Sequence, residues 1–161
     1  MAKAISILMG SQSDLETVNE AVNVLKEFKV DFDLKVLSAH RSPQEVAQYV
    51  QAAPKRGTKV FIAAAGMSAA LAGVVAAHTI LPVIGIPIET KNLKGLDSLL
   101  STVQMPPGIP VACMSIGKAG AKNAALFALA ILGVNDAKIS AKLINYKKQM
   151  RLKVLKTRIK R

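Results

Sequence analysis

The chain has a single cysteine, Cys113, in 161 residues. An internal disulfide is therefore excluded, and a reducing compartment is the expected setting. Histidine is nearly as scarce, with only His40 and His78. They form no cluster with cysteine at metal-ligand spacing, so no metal centre is predicted. Neither a lysine-bearing phosphate loop nor a Gly-x-Gly-x-x-Gly fingerprint follows the first apolar run. The opening residues Met-Ala-Lys-Ala-Ile enter a strand-like segment without a secretory signal pattern, and a cytoplasmic protein is expected.

Charge is absent from one stretch and one-sided in another. Val60 to Ile88 contains no Lys, Arg, Asp or Glu, which passes the crude length test for a membrane span. Gly66, Gly73, Pro82, Gly85 and Pro87 interrupt it, however, and much of the rest is alanine. A strand, a helix and a strand buried in one core account for it better than a span. Residues 137–161 carry 10 Lys and Arg and no acid, whereas residues 1–136 carry 12 against 10 acids. The net charge of +12 therefore lies almost wholly in the tail. A basic tail can bind nucleic acid. With Tyr146 as its one aromatic residue, this one reads instead as a solvated helix, and a nucleic-acid partner is not expected.

What is present alternates. Strands are expected at residues 4–9, 32–37, 60–64, 83–86 and 111–115. Helices are expected after Ser13, with Leu15, Val18, Val22 and Leu25 on one face, and over 43–53, 68–77, 95–103, 118–132 and 136–156. Strand–helix alternation implies an α/β protein with a central parallel, doubly wound sheet in three layers. Residues 1–135 are expected to form a single domain. The basic helix or tail at 136–161 would belong to it or serve as an oligomer contact. Cys113 falls in an expected interior strand with no activating neighbour and reads as inert. His78 reads as a helix-end residue.

Two loops share one design. Gly10, Ser11, Gln12, Ser13 and Asp14 leave the first strand; Ser38, Ala39, His40, Arg41 and Ser42 leave the second. Each is expected to end in a capping box, Ser13 with Glu16 and Ser42 with Glu45, and Pro43 suits the first turn of its helix. Ligands of open α/β sheets bind at the carboxyl ends of strands. If the first two strands are neighbours, Ser11, Ser13, Arg41 and the free helix N–H groups form a phosphate cradle. Asp14 can hold a ribose diol. His40 beside Arg41 is the side chain type that titrates near neutral pH, and so a candidate acid and base. A third loop from Ala65 to Gly73 is made mostly of small residues, which suits a tight, largely apolar pocket.

Five segments then occur in one order: Gly10-Ser11-Gln12-Ser13-Asp14, Ser38-Ala39-His40-Arg41-Ser42-Pro43, Leu81 to Pro87, Asp97 to Pro106, and Gly117 to Ala125. Together they closely resemble the class I N5-carboxyaminoimidazole ribonucleotide mutase family of purine biosynthesis, over about residues 4–133. The resemblance implies a flavodoxin-like three-layer sandwich with a C-terminal helix, assembled as a homo-octamer with active sites at subunit interfaces. It implies an isomerase that moves a carboxylate from the exocyclic nitrogen to C4 of the aminoimidazole without a cofactor. Ser11, Asp14 and Arg41 fall on the family's substrate-binding positions, and His40 falls on its catalytic histidine. Gly10, Ser13, Ser38 and Ala39 complete the two loops. Gly66, Met67, Ala70 and Leu71 would line the pocket that retains carbon dioxide.

One position departs from the family pattern. Many members read Gly-Gly-Ala-Ala-His-Leu-Pro-Gly in the third loop, where this chain has Gly66-Met67-Ser68-Ala69-Ala70-Leu71-Ala72-Gly73. Ala70 replaces a histidine. A carboxylase that takes free carbon dioxide therefore stands as an alternative activity. A flavodoxin-like binding module using the tail on RNA is the alternative outside enzymes.

Overall fold

The computed structural model describes residues 3–158. Met1, Ala2 and the tail residues Ile159, Lys160 and Arg161, included in the expected domain and basic tail, lie outside the described residues. Five strands, β1 (Ile5–Met9), β2 (Phe32–Val36), β3 (Val60–Ala65), β4 (Val83–Pro87) and β5 (Ala112–Cys113), form one parallel sheet in the order β2-β1-β3-β4-β5. The helices are α1 (Leu15–Glu27), α2 (Pro43–Ala52), α3 (Leu71–Ala77), α4 (Leu96–Val103), α5 (Gly117–Gly133) and α6 (Ala137–Lys156).

Burial follows strand position. β1 and β4 are buried at every residue and β3 at all but its last, because helices cover both faces of the middle of the sheet. β2 and β5 lie at the edges and are only partly buried. Ile5, Ile7, Ile62, Ile84 and Ile86 pack under α1 and α5. On the other face Leu8, Phe61, Ala63 and Val83 pack under α2 and α3. α4 joins that second face: a Cβ on Gly85 of β4 would strike Thr102 of α4 and touch Ala72 of α3. Three layers result, in the flavodoxin-like arrangement.

The uncharged stretch from Val60 to Ile88 is indeed β3, α3 and β4 in the core. No helix among the described residues is long and apolar enough to cross a membrane. β1 holds one polar side chain inside. Ser6 is satisfied there by Thr58 at 2.8 Å and by the Tyr49 hydroxyl oxygen at 3.1 Å, whose proton goes to Asp33 at 2.9 Å. Lys3 completes the chain on Asp33 at 3.1 Å. α6 begins at Asp136, whose carboxylate accepts from the N–H groups of Lys138 and Ile139. Its first half packs through Ile139, Leu143 and Tyr146, and Lys142 donates to the carbonyl of Phe28. Beyond Tyr146, only Leu152 is even half-buried among its described residues.

Several expectations need correction. The capping boxes are not where sequence spacing puts them. Ser11 caps a short 3₁₀ turn at Gln12–Asp14, with Asp14 as its reciprocal partner, because the chain tightens before α1 starts. Ser42 makes no side-chain cap; its hydroxyl instead accepts from the N–H of Ser38 and donates to the carbonyl of Ser38. α3 starts at Leu71 rather than residue 68, since Met67 is held in the left-handed region with φ of 58°. β5 is two residues long and lies at the sheet edge, so Cys113 is not in an interior strand. Partial burial still pushes its thiol pKa up, which keeps it protonated and unreactive.

Candidate active site

In this strand order the chain turns opposite ways on leaving β1 and β3, and a crevice opens between their carboxyl ends. The loops after β1, β2, β3 and β4 all face it. They enclose a cleft of about 810 Å³. Every residue given a binding or catalytic role from the sequence lines this one cleft. Gly10, Ser11, Ser13 and Asp14 come from the first loop; Ser38, Ala39, His40 and Arg41 come from the second. Gly66, Met67, Ala70 and Leu71 come from the third, together with Ala65 and Ser68.

The first two loops are tied to each other. Arg41 donates through Nη2 to the carbonyl oxygen of Gly10 at 2.8 Å, and its Nε approaches Ser38 Oγ at 3.4 Å. The guanidinium is thereby laid across the crevice with donors to spare and its face in solvent. Ser38 also accepts from the backbone N–H of Arg41 at 3.3 Å, which closes the turn that carries His40. His40 is exposed in the cleft rather than packed inside.

Asp14 is the buried charge of the site. Its Oδ2 accepts from the N–H of Ser11 at 3.2 Å and its Oδ1 from the Ser13 hydroxyl at 3.3 Å. Burial raises its pKa above the ordinary carboxylate value; the bonds from Ser13 and Ser11 and the charge of Arg41 pull the other way and only partly compensate. Ser13 Oγ lies 2.9 Å from Ser11 Oγ, so the two hydroxyls form a small polar shelf beside the guanidinium.

The third loop is the apolar wall. Met67 is 68% exposed and adopts a backbone conformation that costs a non-glycine residue about 1 kcal/mol. The family pattern quoted above has glycine at this place. Ala70 turns a methyl group toward the cleft where that pattern has an imidazole.

A fourth contribution was missed from the sequence. Ile88, Glu89, Thr90 and Lys91, after β4, line the same cleft. They carry no recognisable phosphate or catalytic motif. The signal available was positional: β4 is the neighbour of β3, and its loop leaves the same edge of the sheet. Among the described residues no group of three or more His, Cys, Asp and Glu side chains is placed to hold a metal ion. His78 ends α3 and lines a separate cleft of about 700 Å³, formed before β4 and β5 at the opposite edge of the sheet. That cleft is lined by no Lys, Arg, Asp or Glu, so it offers no cation to an anionic ligand.

A 2-1-3-4-5 parallel sheet with a cationic, hydroxyl-lined crevice at its switch point defines a flavodoxin-like α/β protein built to bind a small anionic ligand. The chain belongs to the AIR carboxylase family, whose model matches residues 4–153. It is 52% identical over 155 residues to an N5-carboxyaminoimidazole ribonucleotide mutase of Saccharolobus solfataricus, covering 96% of this chain and 97% of that protein. A mutase of the same name from Pyrococcus abyssi is 54% identical over 147 residues, covering 91% of this chain and 83% of the relative. Among solved structures, Treponema denticola PurE superposes with a TM-score of 0.84 at 28% identity, covering 94% of this chain and 93% of that one.

Proposed function

We propose that the protein is an N5-carboxyaminoimidazole ribonucleotide mutase of purine biosynthesis, converting that ribotide to 4-carboxy-5-aminoimidazole ribonucleotide. The observation that carries this reading is the meeting of His40, Arg41, Ser11 and Asp14 in one cleft of a chain about half identical to proteins of that name. Arg41, with Ser11 and Ser13, anchors the 5′-phosphate. Asp14 receives the ribose hydroxyls. Gly10, Ser38 and Ala39 supply backbone that shapes the two loops around the sugar phosphate.

His40 relays the proton. It first protonates the carbamate nitrogen, and the N–C bond then breaks to release carbon dioxide and the neutral aminoimidazole. The enamine carbon C4 attacks the released carbon dioxide, and His40 removes the C4 proton to restore the aromatic ring. One imidazole returns to its starting state, so no net proton, oxidant or cofactor is consumed. The remaining task is to hold two molecules together long enough to recombine. Gly66, Met67, Ala70 and Leu71 form the wall that retains the gas, and their apolar surface keeps competing water out.

The cytoplasm is the proposed setting, and a homo-octamer with sites at subunit interfaces the proposed assembly. Leu93, Leu96, Leu100 and Val103 recur at three- and four-residue spacing along α4 and its approach, each about half exposed, and give such an assembly an apolar face. Light scattering of the purified protein tests it: a mass near eight chains is expected, and a monomer would contradict it. Activity is tested by supplying the carboxylated ribotide alone and, separately, the uncarboxylated ribotide with bicarbonate. Efficient turnover in the second arm only would assign direct carboxylation instead.

A further inference from the structure

The cleft holds two cationic side chains, Arg41 and Lys91, and strand order puts them at its opposite ends. Arg41 follows edge strand β2, whereas Lys91 follows β4, three strand positions away. At roughly 4.8 Å per position, the roots of the two loops stand about 14 Å apart. Arg41 is partly committed to Gly10 and Ser38. Lys91 takes part in neither of the two ion pairs among the described residues, and its ammonium donates to no protein group there.

The backbone beneath Lys91 is nevertheless fixed. Ile88 donates its N–H to the carbonyl of Ala65 at 2.9 Å, and Ser98 donates to the carbonyl of Ile88 at 2.6 Å. Thr90 donates to Asp97 at 2.9 Å and accepts from the N–H of Gly95 at 3.3 Å. The long side chain therefore swings from a pinned base. The third loop, which lines the cleft with Gly66, Met67, Ser68, Ala70 and Leu71, contributes no charge and a single hydroxyl.

The substrate assigned above has two anionic groups, a phosphate and a carboxylate. Arg41 and the serine shelf serve the first. We propose that Lys91 is the specificity-determining contact for the second, pairing with the carboxylate that migrates and thereby distinguishing the carboxylated ribotide from the uncarboxylated one. This rests on the mutase reading. Glu89 lines the same end of the cleft, so with Lys91 removed its carboxylate would repel that anion and enlarge the loss.

The test compares wild type with Lys91→Met and Lys91→Arg, after turnover of the carboxylated ribotide by wild type has been verified. Calorimetric affinities are measured for that ribotide and for the form without the carboxylate. Lys91→Met is expected to weaken the carboxylated ligand about tenfold or more and the other by less than about twofold, with Lys91→Arg restoring most of the loss. Equal weakening of both ligands would place the ammonium on the phosphate and overturn the assignment. Unchanged affinity for both would overturn it too. Absence of turnover in wild type would refute the mutase reading itself, a result distinct from either.

Discussion

At the scale of single residues, the site separates anchoring from proton transfer. His40 and Arg41 are adjacent in sequence yet differ in their partners: the guanidinium is tied to Gly10 and Ser38, while the imidazole stands in the open cleft. His40→Ala should abolish turnover and leave ribotide affinity close to wild type, as read by kinetics and calorimetry side by side. Turnover at the wild-type rate in that variant would remove His40 from the mechanism. Arg41→Ala should act mainly on affinity, weakening the ribotide by up to about 3 kcal/mol, the scale of a charged hydrogen bond. Asp14 gives a prediction in pH. Its folded-state pKa lies above its unfolded one, so the folded chain binds more protons between the two values, and stability falls as pH rises through that window. Asp14→Asn should lose this dependence. Denaturant titrations should find the variant gaining on wild type at about pH 7 relative to about pH 4, although ribotide binding is impaired.

At the scale of elements, close approaches decide which substitutions the fold tolerates. A Cβ on Gly120 would land on the carbonyl of Ser115, where α5 turns out of β5. Gly120→Ala should therefore cost about 3 kcal/mol or more, because backbone rather than a flexible side chain must move. Asp136 caps α6, and Asp136→Ala should cost about 1 kcal/mol in thermal or denaturant unfolding. The last helix was legible in the sequence, though not its cap, as were the inner strands, since apolar runs such as Val60 to Ala64 allow little else. The two capping boxes were not. Ser13 with Glu16 and Ser42 with Glu45 satisfy the spacing, but spacing does not reveal a 3₁₀ turn or a serine that bonds backward to Ser38. Glu89 and Lys91 were invisible for another reason. Nothing local marks a loop as functional when only its neighbour in the sheet brings it to the cleft.

For the whole molecule, charge and function are separated in space. The body, nearly neutral, carries the cleft, and the basic residues of α6 lie on a helix whose second half hardly touches the body. Removing residues 137–161 should lower the melting temperature, since Ile139, Leu143 and Tyr146 then leave the core, but it should not create an RNA requirement. The resemblance seen in five short segments extended, in the event, to a family match over residues 4–153. The central claim is that carboxylate moves within the cleft through a histidine-relayed proton. It is tested most directly by giving the purified protein N5-carboxyaminoimidazole ribonucleotide labelled in the carboxylate, with unlabelled bicarbonate present. The account predicts that most of the label reaches C4 of the product, and that none does so with His40→Ala. Unlabelled product, its carboxylate drawn from the bicarbonate pool, would contradict it.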